Sequence, residues 1–206
     1  MFEARDPYLA KVRFPVLSDA LIVGPLSSKS AWTPALKAFL VVIGSLLLAT
    51  SAQFKIPLYP IPVTGQTLVV LLIGMVYGPR LGGMTIAVYL LQGVMGLPVF
   101  AGGAFGMATL LGPTGGYLVG FLLAAIIMGI LAERGMGRGI ISTIVAMMIG
   151  NLVIYVVGAS WLASFTGVEK ALTAGVLPFL YGDILKLVVA AGLMPVAWRI
   201  VKKFQK

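Results

Sequence analysis

Two charges stand inside an otherwise oily stretch, PFLYGDILKLVVA, running from Pro178 to Ala190. Asp183 and Lys186 are three residues apart, so on a helix they share one face about a turn from each other. An ionised carboxylate accepts hydrogen bonds and an ammonium donates them. Together they can grip a solute that offers both N–H groups and oxygens. A charge at the centre of a membrane span costs roughly 2.5–3.5 kcal/mol on insertion scales, so both should face a bundle interior or a wet cavity. A self-neutralising pair that only locks helix packing is the plainer alternative. Intramembrane charges more often mark substrate paths, and that role is the expectation here.

Further polar residues occur in the same apolar company. Asn151 interrupts MMIGNLVIYVV, Gln66 follows Thr64 and precedes Thr67 in PVTGQTL, and Tyr89 and Gln92 sit in YLLQGVMG. Each alone is accounted for by an interhelical hydrogen bond. Taken together they outline a mostly apolar cavity with a few donors and acceptors, the usual construction of a small-molecule site.

Other chemistries find no residues. The chain has no Cys and no His, which removes thiolate nucleophiles, histidine-ligated metals and imidazole acid–base schemes. No GxxxxGK[ST] loop is present to bind and hydrolyse ATP. Asp183 is the single aspartate within the apolar spans, so a two-aspartate intramembrane protease is also unsupported. The chain is therefore not read as an enzyme, and no metal or cofactor is expected.

The elements that must hold these residues follow from composition. Of 206 residues 60% are hydrophobic and 10% charged, against nearly half and a quarter in soluble domains. The apolar residues come in runs of roughly twenty, enough to cross a bilayer as helices. The fold class is an all-α integral membrane bundle of six spans, placed near 35–53, 64–78, 82–98, 116–133, 139–163 and 178–200. The joint GPRLGG allows a tight turn between the second and third. Between the third and fourth, VFAGGAFGMATLLGPTGG is too glycine-rich for a plain helix and too apolar for a solvated loop. Residues 1–30, broken by Pro15 and Pro25, are read as a cytoplasmic amino-terminal segment, and 31–206 as the membrane domain.

The net charge of +9 is a statement about topology. With the amino terminus inside, every Lys and Arg except Lys55, Lys170 and Lys186 falls on the inner side. The positive-inside rule then places both termini in the cytoplasm. Trp32 and Trp198 fall at inner span ends and Trp161 near an outer one, as aromatic belts prefer. No basic stripe calls for nucleic acid. The sixth span enters from outside at Pro178, so Asp183 lies roughly 7–8 Å and Lys186 roughly 12 Å below that point. The first outer loop, FKIPLYPIPVT, is stiffened by Pro57, Pro60 and Pro62 and suits a lid or wall over the mouth. Ser45 and Ala49 form a small-xxx-small step fit for close contact with another helix, and Gly74–Gly78 and Gly116–Gly120 repeat that spacing.

Four blocks in order, IPVTGQTLVVLL, YLLQGVMGLPVFAGG, GPTGGYLVGF and LPFLYGDILK, resemble the BioY family, the biotin-specific substrate-binding subunits of energy-coupling factor transporters. The resemblance spans about residues 35 to 200. It implies six membrane helices that capture biotin from the outer side. It also implies partners, a transmembrane coupling protein and ATP-binding cassette ATPases, in a bacterial inner (cell) membrane. The family's first helix commonly contacts the coupling protein through small residues, for which Ser45 and Ala49 are the nearest equivalents. Biotin presents a ureido group with two N–H donors and one oxygen, and a tail carboxylate. Asp183 suits the ureido N–H groups, and Lys186 suits an oxygen at either end of the molecule. Asn151 and Gln66 add polar contacts, while Tyr89, Phe100, Tyr117 and Tyr181 are expected to wall the rings. The competing reading is a self-sufficient carrier in which Asp183 couples transport to protons.

Overall fold

The computed structural model describes residues 14–23 and 34–204. Residues 1–13 and 24–30 of the expected amino-terminal segment, and Trp32, lie outside the described residues. In order the elements are α1 (Leu17–Val23), α2 (Pro34–Gln53), β1 (Lys55–Ile56), β2 (Val63–Thr64), α3 (Gln66–Val94), α4 (Met107–Leu111), α5 (Gly115–Glu133), α6 (Ile140–Thr166), α7 (Val168–Gly175) and α8 (Leu177–Phe204). A short 3-10 turn, Ala101–Gly103, precedes α4. Five helical stretches are long and apolar enough to cross a membrane.

The expected second and third spans fall within α3, which is broken in its middle. Gly78 takes φ 79° and ψ 176°, a left-handed conformation open to glycine, and Pro79 follows with no N–H to continue the ladder. The chain folds back there. A Cβ on Gly82 would lie 3.1 Å from Gly74 Cα, although eight residues of straight helix would separate the two by roughly 12 Å. At the far ends of the two arms, Gln66 donates to Tyr89 Oη at 2.7 Å. Thus α3 is a helical hairpin, turned at the GPRLGG joint.

Close backbone approach holds the hairpin to its neighbours. A Cβ on Gly74 would lie 2.8 Å from Met128 Cβ and 2.9 Å from Ala125 Cα, so α3 sits almost against α5. A Cβ on Gly120 would lie 3.2 Å from Ile154 Cα, where α5 meets α6. Both glycine steps of the sequence therefore mark helix crossings. The core at these crossings includes Val70, Leu71, Ile86, Ala124, Met128, Met147 and Ile154. Outward faces carry Phe39, Leu46, Ile141, Leu152, Ile184 and Val188, all exposed. Water would penalise so wide an apolar surface; hydrocarbon does not. The molecule is a predominantly helical, multi-pass membrane protein.

Its two ends differ in charge. The hairpin turn beside Pro79 meets α5 at Gly129, and Val16 of the α1 region approaches Gly78. At this end Arg138 lies over the Phe14 ring (4.7 Å) and the Trp198 ring (4.4 Å) and donates to Pro15 O at 3.0 Å. Arg80, Arg134, Arg199, Lys202 and Lys203 share the end by their places on the helices. The opposite end holds the antiparallel β1–β2 pair, the 101–111 segment and α7. Trp161 donates to Gly112 O there at 2.9 Å, and Tyr117 to Gly175 O at 2.7 Å.

Candidate functional site

Asp183 and Lys186 lie within α8 toward the end that carries the β-pair, and α8 turns both inward. Asp183 is 4% exposed, and Lys186 Nζ stands 3.3 Å from its Oδ1. The ammonium also donates to Thr67 Oγ1 at 2.7 Å, tying α8 to the first arm of α3. Tyr155 of α6 donates its hydroxyl to Asp183 Oδ2. One carboxylate thus gathers donors from two helices, and its ammonium partner reaches a third segment. In a medium poor in water such charge-assisted bonds are strongly orienting.

A second polar chain runs beside it. Thr64 Oγ1 donates to Gln66 Oε1 (3.1 Å), Gln66 Nε2 to Tyr89 Oη (2.7 Å), and Tyr89 to Val99 O (3.0 Å). Tyr89 and Phe100, both almost fully buried, pack edge to face at 5.5 Å. Gln53 Nε2 donates to Phe100 O at 3.3 Å, joining the end of α2 to the glycine-rich turn. The proline loop is closed by β1 and β2, Ile61 is buried, and Val63 lies in van der Waals reach of Gly182 on α8. The loop therefore walls this end.

Asn151 is 7% exposed and its Oδ1 has no hydrogen-bond partner among the described residues. It stands four residues before Tyr155 on α6, one turn away on the same face. A buried acceptor without a donor is rare enough to require a reason, and a ligand N–H would supply one. Tyr117 stacks on Phe179 at 6.2 Å, and Phe179 meets Tyr155 edge to face at 6.3 Å. These rings form one wall leading to Asp183.

Two groups of expected residues are placed elsewhere. Tyr181 is 82% exposed, on the face of α8 opposite Asp183 that also carries Ile184, Leu185 and Val188. Two residues from Asp183 is about 200° around a helix, so the same turn that buries one exposes the other. Ser45 is fully buried, donates to Val42 O at 2.9 Å and accepts from Gln92 Nε2 at 3.3 Å. Ala49 packs against the core. Ser45, expected together with Ala49 at a close contact with another helix, meets Gln92 of α3 within the bundle. Tyr155 and Phe179 were not singled out from sequence. Their signal was helical spacing, Tyr155 four after Asn151 and Phe179 four before Asp183.

An open groove of about 640 Å³ lies at the cationic end, lined by Arg138, Ile140, Ile141, Trp198, Arg199 and Lys202 among others. It shares no residue with the polar cluster.

A lipid-facing helical bundle with a polar, aromatic-walled cluster recessed at one end defines a multi-pass membrane protein with a buried polar centre. The comparisons specify the family. A profile of the BioY family matches residues 26–203, and the chain belongs to that family. It is 43% identical over 151 residues to a probable biotin transporter BioY of Pyrococcus horikoshii, covering 73% of this chain and 89% of that protein. It is 41% identical over 147 residues to the biotin transporter BioY of Thermotoga maritima, covering 70% and 85%. The crystal structure of the S-component for biotin from an ECF-type ABC transporter superposes with a TM-score of 0.70 at 23% identity, covering 81% of this chain and 94% of that one. That likeness establishes a shared fold.

Proposed function

We propose that this protein captures biotin from the outer side of a cell membrane and delivers it for uptake, as the substrate-binding subunit of an energy-coupling factor transporter. The observation that carries the reading is the Asp183–Lys186 pair, buried between α8, Tyr155 and Thr67 in a chain of the BioY family. Asp183 accepts from the ureido N–H groups, and Asn151 Oδ1 is a further acceptor in reach of the same face. Lys186 donates to an oxygen, and the rings rest against Tyr89, Phe100 and Tyr117, with Gln66 holding Tyr89 in place. Being a capture subunit, it performs no covalent chemistry and is not an enzyme.

The topology that serves this role has six crossings, the two arms of α3 counting separately, and both termini in the cytoplasm. The segregation of Arg80, Arg134, Arg138 and the α8 terminus from the cluster supports it. Residues 1–30 form the cytoplasmic segment and 31–206 the membrane domain. The packing of Val16, Leu17 and Ala20 in the core supports the docking of that segment on the inner end. A transmembrane coupling protein and ABC ATPases supply the energy, since the chain carries no nucleotide-binding loop of its own.

Calorimetric titration of the purified protein tests the reading. Wild type is expected to bind biotin tightly, and Asp183→Asn and Lys186→Ala to weaken it by at least tenfold each, as loss of a charge-assisted hydrogen bond does. Unchanged affinity in both variants would place the site elsewhere.

A further inference from the structure

We propose that Lys55 reads the tail carboxylate of the captured solute at the mouth of the site, while Asp183 and Lys186 take the ureido ring below it. The inference rests on the biotin reading above and decides which end of the molecule goes where.

Charge makes the first argument. Asp183 and Lys186 lie 3.3 Å apart and cancel each other, and Lys186 is further engaged by Thr67. A carboxylate brought to this buried pair would be repelled by Asp183 and would lose its hydration. A ureido group has what the pair lacks, N–H donors for the carboxylate and a neutral oxygen for the ammonium. The ligand's one ionised group therefore needs a cation nearer water.

Position selects that cation. Besides Lys186, the described cations at this end of the molecule are Lys55 and Lys170. Lys170 is an exposed residue of α7 that takes part in neither polar chain. Lys55 is paired in register with Thr64, whose hydroxyl starts the Gln66–Tyr89 chain. Its side chain lies along the turn that follows Phe100. A Cβ on Gly102 would stand 3.0 Å from Lys55 Cε and 3.5 Å from Cδ, and would run into Nζ. Gly102 also holds φ 71°, a conformation that asks for glycine there. Gln53 fixes the same turn through Phe100 O.

The ammonium so held has no hydrogen-bond or ion-pair partner among the described residues, and it is exposed. The glycine beside it, Gly102, carries no side chain of its own there, and Cβ atoms added to Gly103 and Gly106 of the same segment would meet nothing within 4 Å. A lysine on the outer face works against the charge bias that orients the chain, so topology does not explain its presence. A carboxylate met at a hydrated mouth gains a charge-assisted hydrogen bond without paying for full burial of two ions.

Equilibrium titration of the full chain with biotin and with biotinamide, which lacks the charge, tests the proposal. Wild type should prefer biotin by about 10- to 100-fold, the span of one hydrogen bond to a charged group. Lys55→Gln should abolish the preference by weakening biotin alone. Lys55→Arg should keep most of it, and Lys170→Gln should leave it untouched. Retained biotinamide binding by Lys55→Gln also shows that the variant is folded. Equal weakening of both ligands, or of neither, overturns the proposal. Wild-type protein that binds neither ligand overturns the biotin reading itself, a separate and recognisable outcome.

Discussion

Asp183 occupies a position that few carboxylates tolerate, 4% exposed and held by Tyr155 and Lys186. Its burial is tolerable because both oxygens have a donor, not because the ion pair is strongly stabilising. That distinction can be measured. Lys186→Met leaves the carboxylate with Tyr155 alone and is expected to destabilise the fold by about 3 kcal/mol, as breaking one side of a buried pair does. Asp183→Asn combined with Lys186→Met should regain most of that loss in a thermal melt, yet neither variant should bind biotin. A double variant as unstable as the single one would show that Lys186 supports the fold by packing rather than by charge. Stability and binding thus separate at this pair.

At the scale of elements, α3 sets the geometry. Its reversal at Gly78 brings Gln66 beside Tyr89 and places Thr67 under Lys186. The arms are roughly 18 and 24 Å long at 1.5 Å per residue, both short of a full hydrocarbon core of about 30 Å. The β-pair and the 101–111 segment complete the wall at one end. Close backbone contact with α5 keeps the hairpin in register, so bulk at the crossing should be damaging. Gly74→Leu meets Ala125 Cα and Met128 Cβ and is expected to lose about 1–3 kcal/mol or more through overpacking. Gly192→Leu, on α8 with nothing within 4 Å of an added Cβ, is the matched control and should melt like wild type. Equal melting temperatures for the two variants would contradict the packing described.

At the scale of the whole molecule, charge divides the bundle into a cationic end and an end that holds the cluster. The absence of cysteine makes the proposed orientation simple to test with single-cysteine variants. Lys170→Cys should react with a membrane-impermeant maleimide on intact cells. Arg80→Cys at the hairpin turn and Lys203→Cys near the carboxyl terminus should react only after permeabilisation. Labelling of Arg80→Cys from outside would remove two of the six proposed crossings. Labelling of Lys203→Cys from outside would invert the protein and with it the direction of capture.

The spans were legible because lipid imposes a simple rule: long apolar runs must be helices that satisfy their own backbone. The expected first, fourth, fifth and sixth segments match α2, α5, α6 and α8 within a few residues, and the expected second and third fall within the single element α3, turned at GPRLGG. Asp183 and Lys186 were legible too, since charge inside such a run stands out. Facing was not. Tyr181 lies two residues from Asp183 yet points away, and Ser45 turns inward to Gln92. In a soluble helix polarity separates the two faces, but here both lipid and core are apolar, so the chain carries little signal of which side is which. Tyr155 and Phe179 were hidden for the same reason, as ordinary aromatics in a hydrophobic run. Sequence alone determined that this is a membrane bundle with a charged pair in its last helix. Only tertiary packing decided which residues meet that pair, because contact across helices depends on rotation and crossing, and close glycine approaches set both.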